Sequence, residues 1–242
     1  MSVRPYLRSP IALAWTLIAM LTVGGIFAAS LRLVTLSAES PIVPDPTAPV
    51  SITGSLFTLV FVAGTLAVAA IAWLPCSLAI AYAVGSRIRN DPISFGDSID
   101  LLHARVEPLY RWIKTRIAIE PIADRLLGEN DVSPAEIAVG CGGFVVPALA
   151  LDSPTLRTAV GRANRAIPQP GRERVVLLGL GSTGLLIAGA VAIGTIGGVF
   201  LLPTGVLALA VAVVGSIFTA ALDTAWRVET YLGQDLDEGF DR

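Results

Sequence analysis

The sequence predicts an all-α, polytopic helical membrane protein, and two observations support that prediction. The stretch from Val175 to Leu222 contains no charged residue and is interrupted near its middle by Pro203. About 20 mostly apolar residues are enough to cross the ~30 Å hydrocarbon core of a bilayer, so this stretch holds two crossing lengths joined by a tight turn. The second observation is composition, since 54% of the 242 residues are hydrophobic and only 15% are charged. Little length remains for a separate soluble domain.

Two earlier apolar runs predict the first two spans, at about 11–34 and 55–84. The first run follows Arg4 and Arg8, so a cleaved signal peptide is the alternative interpretation. The run is longer than the apolar region of such a peptide, which favours a retained helix. The linker between the runs is rich in proline and therefore cannot continue a helix. Pro75 lies inside the second run, where neighbouring helices are expected to satisfy the backbone around a kink.

The charge-free stretch predicts the last two spans, at 175–199 and 204–224. Its beginning, VVLLGLGSTG, has the glycine spacing of a dinucleotide-binding turn. That interpretation is rejected because no acidic residue follows about 20 residues later and because the apolar length is that of a bilayer span. Glycines at four-residue spacing instead allow close approach of membrane helices. The predicted helix-packing residues are Gly184, Gly189, Gly194 and Gly198.

An amphipathic region at 97–127 carries much of the charge between the second and third spans. Apolar residues recur there at three- and four-residue steps, and Glu107 and Arg111 are placed for an i,i+4 ion pair. We expect Lys114 on the polar side of the helix and Trp112 at interfacial depth. The region either packs on the protein's own membrane domain or lies among lipid headgroups, and the sequence favours neither.

Two shorter helices are predicted after this region. A capping pattern at Ser133 and Pro134 begins an apolar helix at 134–151, which is too short for a span and predicts a buried or re-entrant segment. The motif Asp152-Ser153-Pro154 begins a basic amphipathic helix at 153–167 in the same way.

The distribution of positive charge predicts the topology. Basic residues precede the first span and recur between Arg87 and Arg125, whereas the proline-rich linker has none. The positive-inside rule therefore places both termini in the cytoplasm, in a four-span arrangement within the cell membrane. Five spans is the alternative, which requires 137–151 to cross the bilayer.

No catalytic, cofactor-binding or metal site is predicted. His103 is the only histidine, and the sequence suggests a surface position for it. The net charge of −2 gives no indication of a nucleic-acid partner. Asp223 precedes Arg227 by one helical turn, which predicts a local ion pair. The remaining candidates are cytoplasmic arginines that either contact anionic lipids or form a solvated face: Arg157, Arg162 and Arg165.

Several short motifs follow one another between the second predicted span and the end of the chain. They are Asp91-Pro92 with Gly96-Asp97, Phe144-Val-Val-Pro147, Asp152-Ser153-Pro154, the Arg162–Arg165 helix, and the ending Trp226, Tyr231 and Gly239-Phe240. The order of these motifs resembles an uncharacterised prokaryotic family of multi-pass membrane proteins, a domain of unknown function. The resemblance covers Val60 to Phe240 and implies about six spans, with an amphipathic segment in this chain where the third would lie. It implies no known activity and supplies no catalytic residues.

Three functions remain in consideration. The leading hypothesis is a non-enzymatic structural or accessory membrane component that packs with a second copy or a membrane partner protein. The alternative is a transport (permease) component with a solute path around Pro75 and the Gly142-Gly143 break. A lipid-modifying enzyme comes third, because it would need an acid/base pair that the sequence does not show. A polar cavity would favour transport, whereas a continuous apolar core would favour the accessory role.

Overall fold

A computed structural model describes residues 4–38, 52–91, 93–117, 141–166 and 201–238, together with helical positions between 177 and 188. All regular secondary structure in these residues is helical, which confirms the all-α prediction. The helices are α1 (Arg4–Leu7), α2 (Pro10–Ala38), α3 (Ile52–Ile88), α4 (Phe95–Ile117), a 3-10 turn (Cys141–Phe144), α5 (Val145–Leu151), α6 (Leu156–Ala163) and α7 (Leu201–Glu238).

Three of the described helices are long and apolar enough to cross a membrane. The qualifying segments are Pro10–Leu33, Leu59–Ile88 and Ala208–Gly233. They correspond to the first, second and fourth predicted spans. The predicted third span, 175–199, lies mostly outside the described residues, although those described between 177 and 188 are helical. The apolar segment Cys141–Leu151 is shorter than a span.

α2 and α3 lie side by side in opposite directions. Thr65 Oγ1, near the start of α3, donates to Ser30 Oγ, near the end of α2, at 3.2 Å. After α3 the chain returns toward the start of α2, where Trp15 Nε1 donates to Ser98 Oγ at 2.9 Å. The connection between α3 and α4 therefore lies at the same end of the bundle as the N-terminus of α2.

Two local motifs build the connection between α3 and α4. Asn90 has a φ of +57° and ends α3 in the left-handed conformation that Asn tolerates. The backbone N–H of Asp91 donates to the carbonyl of Ser86 at 2.9 Å, which satisfies one of the last carbonyls of the helix. α4 then begins with a capping box. In it Ser94 N–H donates to Asp97 Oδ2 at 2.6 Å, and Asp97 N–H donates to Ser94 Oγ at 3.2 Å.

α4 packs on the protein's own helices, which decides between the two interpretations of the amphipathic region. Lys114 is only 7% exposed, so its predicted position on the polar side of the helix is wrong. Trp112 is only 2% exposed and belongs to the hydrophobic core, while its interfacial depth stays a prediction. The expected ion pair of Glu107 with Arg111 is confirmed at 2.6 Å. The helix is not divided at Pro108 but continues through it to Ile117. Residues 118–127 lie outside the described part of the chain.

α5 is buried along most of its length, from Val145 to Ala150. The backbone N–H of Ser153 still bonds to the carbonyl of Ala148 at 2.9 Å, so Ser153 belongs to the end of α5. For this reason it cannot begin the next helix, and the predicted start of α6 is wrong. Thr155 is the N-cap instead, with its side chain accepting from Thr158 N–H at 3.4 Å.

Packing within the described residues is concentrated at one end of the bundle. In α3, Leu59 and Val60 are 66% and 69% exposed, whereas Leu78 and Ile80 are fully buried. The buried half of α3 meets the N-terminal half of α2, the C-terminal half of α7, α4 and α5, and α6 packs on α5. The opposite halves of the long helices expose apolar side chains, as expected for surfaces in contact with lipid or another protein.

Candidate functional site

An ion pair lies inside the third candidate span. Arg227 Nε donates to Asp223 Oδ2 at 2.8 Å, and Nη2 of the same guanidinium also donates to this oxygen. The two side chains are only 22% and 15% exposed. Ionised groups within a membrane segment are costly unless they are paired, and they mark functional positions by default. The local pair predicted from the four-residue spacing is confirmed.

Gly143 allows the 3-10 turn to close directly onto this ion pair. A side-chain carbon at Gly143 would overlap the guanidinium of Arg227. The neighbouring rings of Phe144 and Trp226 lie 6.4 Å apart between centroids and add an aromatic contact between the same two elements. The Gly142-Gly143 break is therefore a close-approach site for α7.

A cavity of about 170 Å³ lies beside the ion pair and is bounded by several elements. Cavities near 150 Å³ are large enough to hold a molecule such as benzene. Polar groups and indole rings both contribute to the wall, so the cavity suits a small polar molecule better than an apolar one. The residues that contribute these groups are Trp73 and Ser77 from α3, Trp112 from α4, and Asp223, Thr224 and Arg227 from α7.

Both hydroxyl groups of the cavity wall already donate a hydrogen bond to a backbone carbonyl. Ser77 Oγ donates to the carbonyl of Leu74 at 2.8 Å, and Thr224 Oγ1 donates to the carbonyl of Ala220 at 2.9 Å. Each oxygen therefore offers lone pairs that accept hydrogen bonds from a bound molecule. No described lining residue is a histidine or a cysteine. This part of the wall thus provides several groups that can bind a polar molecule.

The predicted lipid-contact arginines lie on α6 and in the turn that follows it. Arg157, Arg162 and Arg165 are all exposed. Asp152 contacts Arg162, with a distance of 3.8 Å between Oδ2 and Nη1, and it also forms an ion pair with Arg89 at 2.8 Å. The second contact was not predicted, because nothing in the sequence relates Arg89 to a residue so distant along the chain.

Of the four glycines that were predicted to pack against other helices, the structure describes only Gly184. Gly184 faces open space, with no atom close to the position of a side-chain carbon. A role for it in packing against another chain stays a prediction. Gly189, Gly194 and Gly198 lie outside the described residues.

Two other glycines allow the helical segment between 177 and 188 to pack closely on α7. A side-chain carbon at Gly179 would overlap Thr219, and one at Gly215 would overlap Thr183. Each threonine also donates to the carbonyl of the glycine four residues earlier, with Thr183 to Gly179 at 2.8 Å and Thr219 to Gly215 at 2.7 Å. The signal for this contact is a Gly-x-x-x-Thr repeat in both segments, a pairing of small residues that membrane helices use.

Comparison with known protein families, curated proteins and solved structures finds no match. The site is therefore interpreted from its own geometry.

Proposed function

We propose that this protein is a structural or accessory component of the cell membrane, with both termini in the cytoplasm, and that it packs with a second copy or a membrane partner protein. The observation that supports this role is the unpacked outer half of the bundle. Only 11% of the most hydrophobic part of the Leu59–Ile88 segment is buried. Within the part of the chain that the structure describes, most of this surface is thus free for other molecules.

Small residues on that surface favour a protein neighbour over lipid alone. Open space lies in front of Gly24, Gly25 and Gly64 in α2 and α3, and in front of Gly181 and Gly184 in the 177–188 segment. Lipid chains gain little from such positions, whereas a second helix gains close backbone approach. The core at the other end of the bundle is apolar and continuous, which supports a scaffold role. The proposal assigns no enzymatic activity.

The test is the mass of the protein extracted in native lipid nanodiscs, measured by light scattering and mass spectrometry. We expect a defined homo-oligomer or a stoichiometric partner. Gly184→Leu should shift the mass toward the monomer, because its side chain would occupy the space that the neighbour needs. Gly161→Leu, also at an open position but outside the candidate spans, is the matched control. A wild-type monomer without a partner would contradict the accessory role.

The cavity favours a second candidate, a transport component that binds a small polar solute beside Asp223 and Arg227. A panel of amino acids, amines and carboxylic acids can be screened for compounds that raise the unfolding temperature. Ala220 lies on the cavity wall, so Ala220→Leu should fill the cavity and abolish such an effect without removing a charge. Val214→Leu, at a position that is 45% exposed on the same helix, is the control. This candidate fails if Ala220→Leu leaves every stabilising effect unchanged.

A further inference from the structure

The outward side of α6 carries basic residues while its apolar side is already used by the protein. Leu156 and Val160 are 3% and 4% exposed, and Ala159 and Ala163 are fully buried. An amphipathic helix that lies in a membrane surface keeps its apolar side for the lipid. α6 has no apolar side left to insert, so any contact with a membrane must come from its charged side.

We define the arginine face as Arg89, Arg157, Arg162 and Arg165. Asp152 joins its two parts, because Arg89 at the end of α3 and Arg162 on α6 both contact this carboxylate. Within the described residues, Arg157 and Arg165 have no ion-pair partner. Asp152 contacts two of the four guanidinium groups, so the ion pairs of the described residues neutralise this face only in part, on a chain whose net charge is −2.

The arginine face lies at the end of a candidate membrane span. The apolar segment of α3 ends at Ile88, and Arg89 follows directly. Leu151, the last residue of α5, packs so closely on Gly85 that a side-chain carbon there would overlap it. The end of α5 is therefore held beside the last turn of α3, and Asp152, which follows it, links Arg162 of α6 to Arg89 where the apolar segment of α3 ends.

We propose that the arginine face binds the phosphate groups of anionic phospholipids in the cytoplasmic leaflet. Guanidinium groups bind phosphate oxygens through paired N–H donors, and anionic headgroups concentrate at this leaflet. The position at the end of a span selects lipid over a soluble phosphate compound, because the bilayer supplies phosphate there at high local concentration. The proposal rests on the proposed membrane location and on the cytoplasmic orientation of this end of the bundle, and it does not require the accessory role.

The experiment uses the purified full chain in neutral detergent, titrated with phosphatidylglycerol or with phosphatidylcholine, and counts bound lipids by native mass spectrometry. We expect Arg157→Gln, Arg162→Gln and Arg165→Gln together to lower the affinity for phosphatidylglycerol between about ten- and a hundredfold. Binding of phosphatidylcholine should not change.

Three controls keep the test specific. Arg111→Gln removes a charge that is paired with Glu107 on α4, and it should leave the preference for phosphatidylglycerol intact. The corresponding triple lysine variant keeps the charge and should retain part of the preference. If the triple glutamine variant fails to fold, the double variant Arg157→Gln with Arg165→Gln decides, because no ion pair of the described residues is lost in it.

Three outcomes would overturn the proposal. The first is equal binding of the two lipids by the wild-type protein. The second is a preference that the folded glutamine variant keeps in full. The third comes from a titration with inorganic phosphate in place of lipid. If phosphate binds as strongly as phosphatidylglycerol, the arginine face belongs to a soluble ligand.

Discussion

At the residue scale, glycines differ by what a side chain in their place would meet. Gly143 has the guanidinium of Arg227 against it, and this group is held in place by Asp223, whereas Gly161 in α6 faces open space. We expect Gly143→Ala to lower the free energy of unfolding by about 1–3 kcal/mol, the usual range for overpacking. Gly161→Ala should raise it by roughly 0.5–1 kcal/mol, because alanine loses less backbone entropy in a helix.

Denaturation of both variants in a mild detergent measures these changes. A Gly143→Ala variant as stable as the wild type would show that the 3-10 turn can move away from the ion pair at no cost.

A second prediction at the residue scale concerns Asp97, the capping residue of α4. The hydrogen bond from the backbone N–H of Ser94, together with a hydrogen bond from the Ser94 hydroxyl group, lowers the pKa of this carboxyl below its ordinary value. A carboxyl with a lowered pKa in the folded state stabilises the fold above the pKa of the unfolded state. That contribution is lost as the pH falls through the folded-state value.

Asp97→Asn should therefore reduce the dependence of stability on acid pH. The measurement compares the drop in unfolding temperature between pH 6 and about pH 3 for the wild type and the variant. The wild type should lose more, since it alone has this carboxylate to protonate. Glu107→Gln, on the exposed side of the same helix, is the control. Identical drops for the wild type and Asp97→Asn would contradict the capping role.

At the scale of elements, two Gly-x-x-x-Thr segments pack against each other reciprocally. Gly179 meets Thr219, and Gly215 meets Thr183. Because Thr is branched at Cβ and its hydroxyl bonds to the helix backbone, the side chain cannot rotate away. Gly179→Ala or Gly215→Ala should thus lower the free energy of unfolding by about 1–3 kcal/mol.

Gly184→Ala is the matched control for this contact, because Gly184 lies in the same segment and faces open space. We expect it to be as stable as the wild type or slightly more so. Thermal unfolding in detergent distinguishes the cases. Equal stability of Gly179→Ala and Gly184→Ala would show that the two helices do not depend on the glycine contact.

At the scale of the whole molecule, the uneven packing of the bundle agrees with the proposed orientation. The packed end contains α4 to α6 and most of the described arginines, while the other end exposes apolar side chains. The proposed topology places Arg8, at the packed end, in the cytoplasm and Leu36, at the far end of α2, outside. Both side chains are exposed, and the native Cys76 and Cys141 are buried.

Cysteine labelling tests this orientation. A membrane-impermeant maleimide added to intact cells should label Leu36→Cys and should label Arg8→Cys only after the membrane is opened. The unsubstituted protein gives the background, which should be low because its cysteines are buried. The reverse pattern would contradict the positive-inside assignment.

Several features could be predicted from the sequence because they depend on neighbours along the chain. The all-α class and three candidate spans follow from the length of the apolar runs and from their low content of charged residues. The pairs Glu107–Arg111 and Asp223–Arg227 follow from four-residue spacing on one helix. The capping box of Ser94 and Asp97 also depends on a short spacing within one helix start, so the same reasoning applies to it.

The sequence by itself determined a helical chain, its long apolar segments that could cross a membrane and its local ion pairs, because apolar length and helical spacing act over short distances along the chain. Only the tertiary structure decided that Trp112 is buried, that Gly143 rather than Gly184 meets another element, and that Arg89 shares Asp152 with Arg162. Each of these outcomes depends on which helices pass one another and at what depth. That arrangement depends on how distant segments pack against one another, and the hydrophobic periodicity of one helix does not predict which segments it will contact.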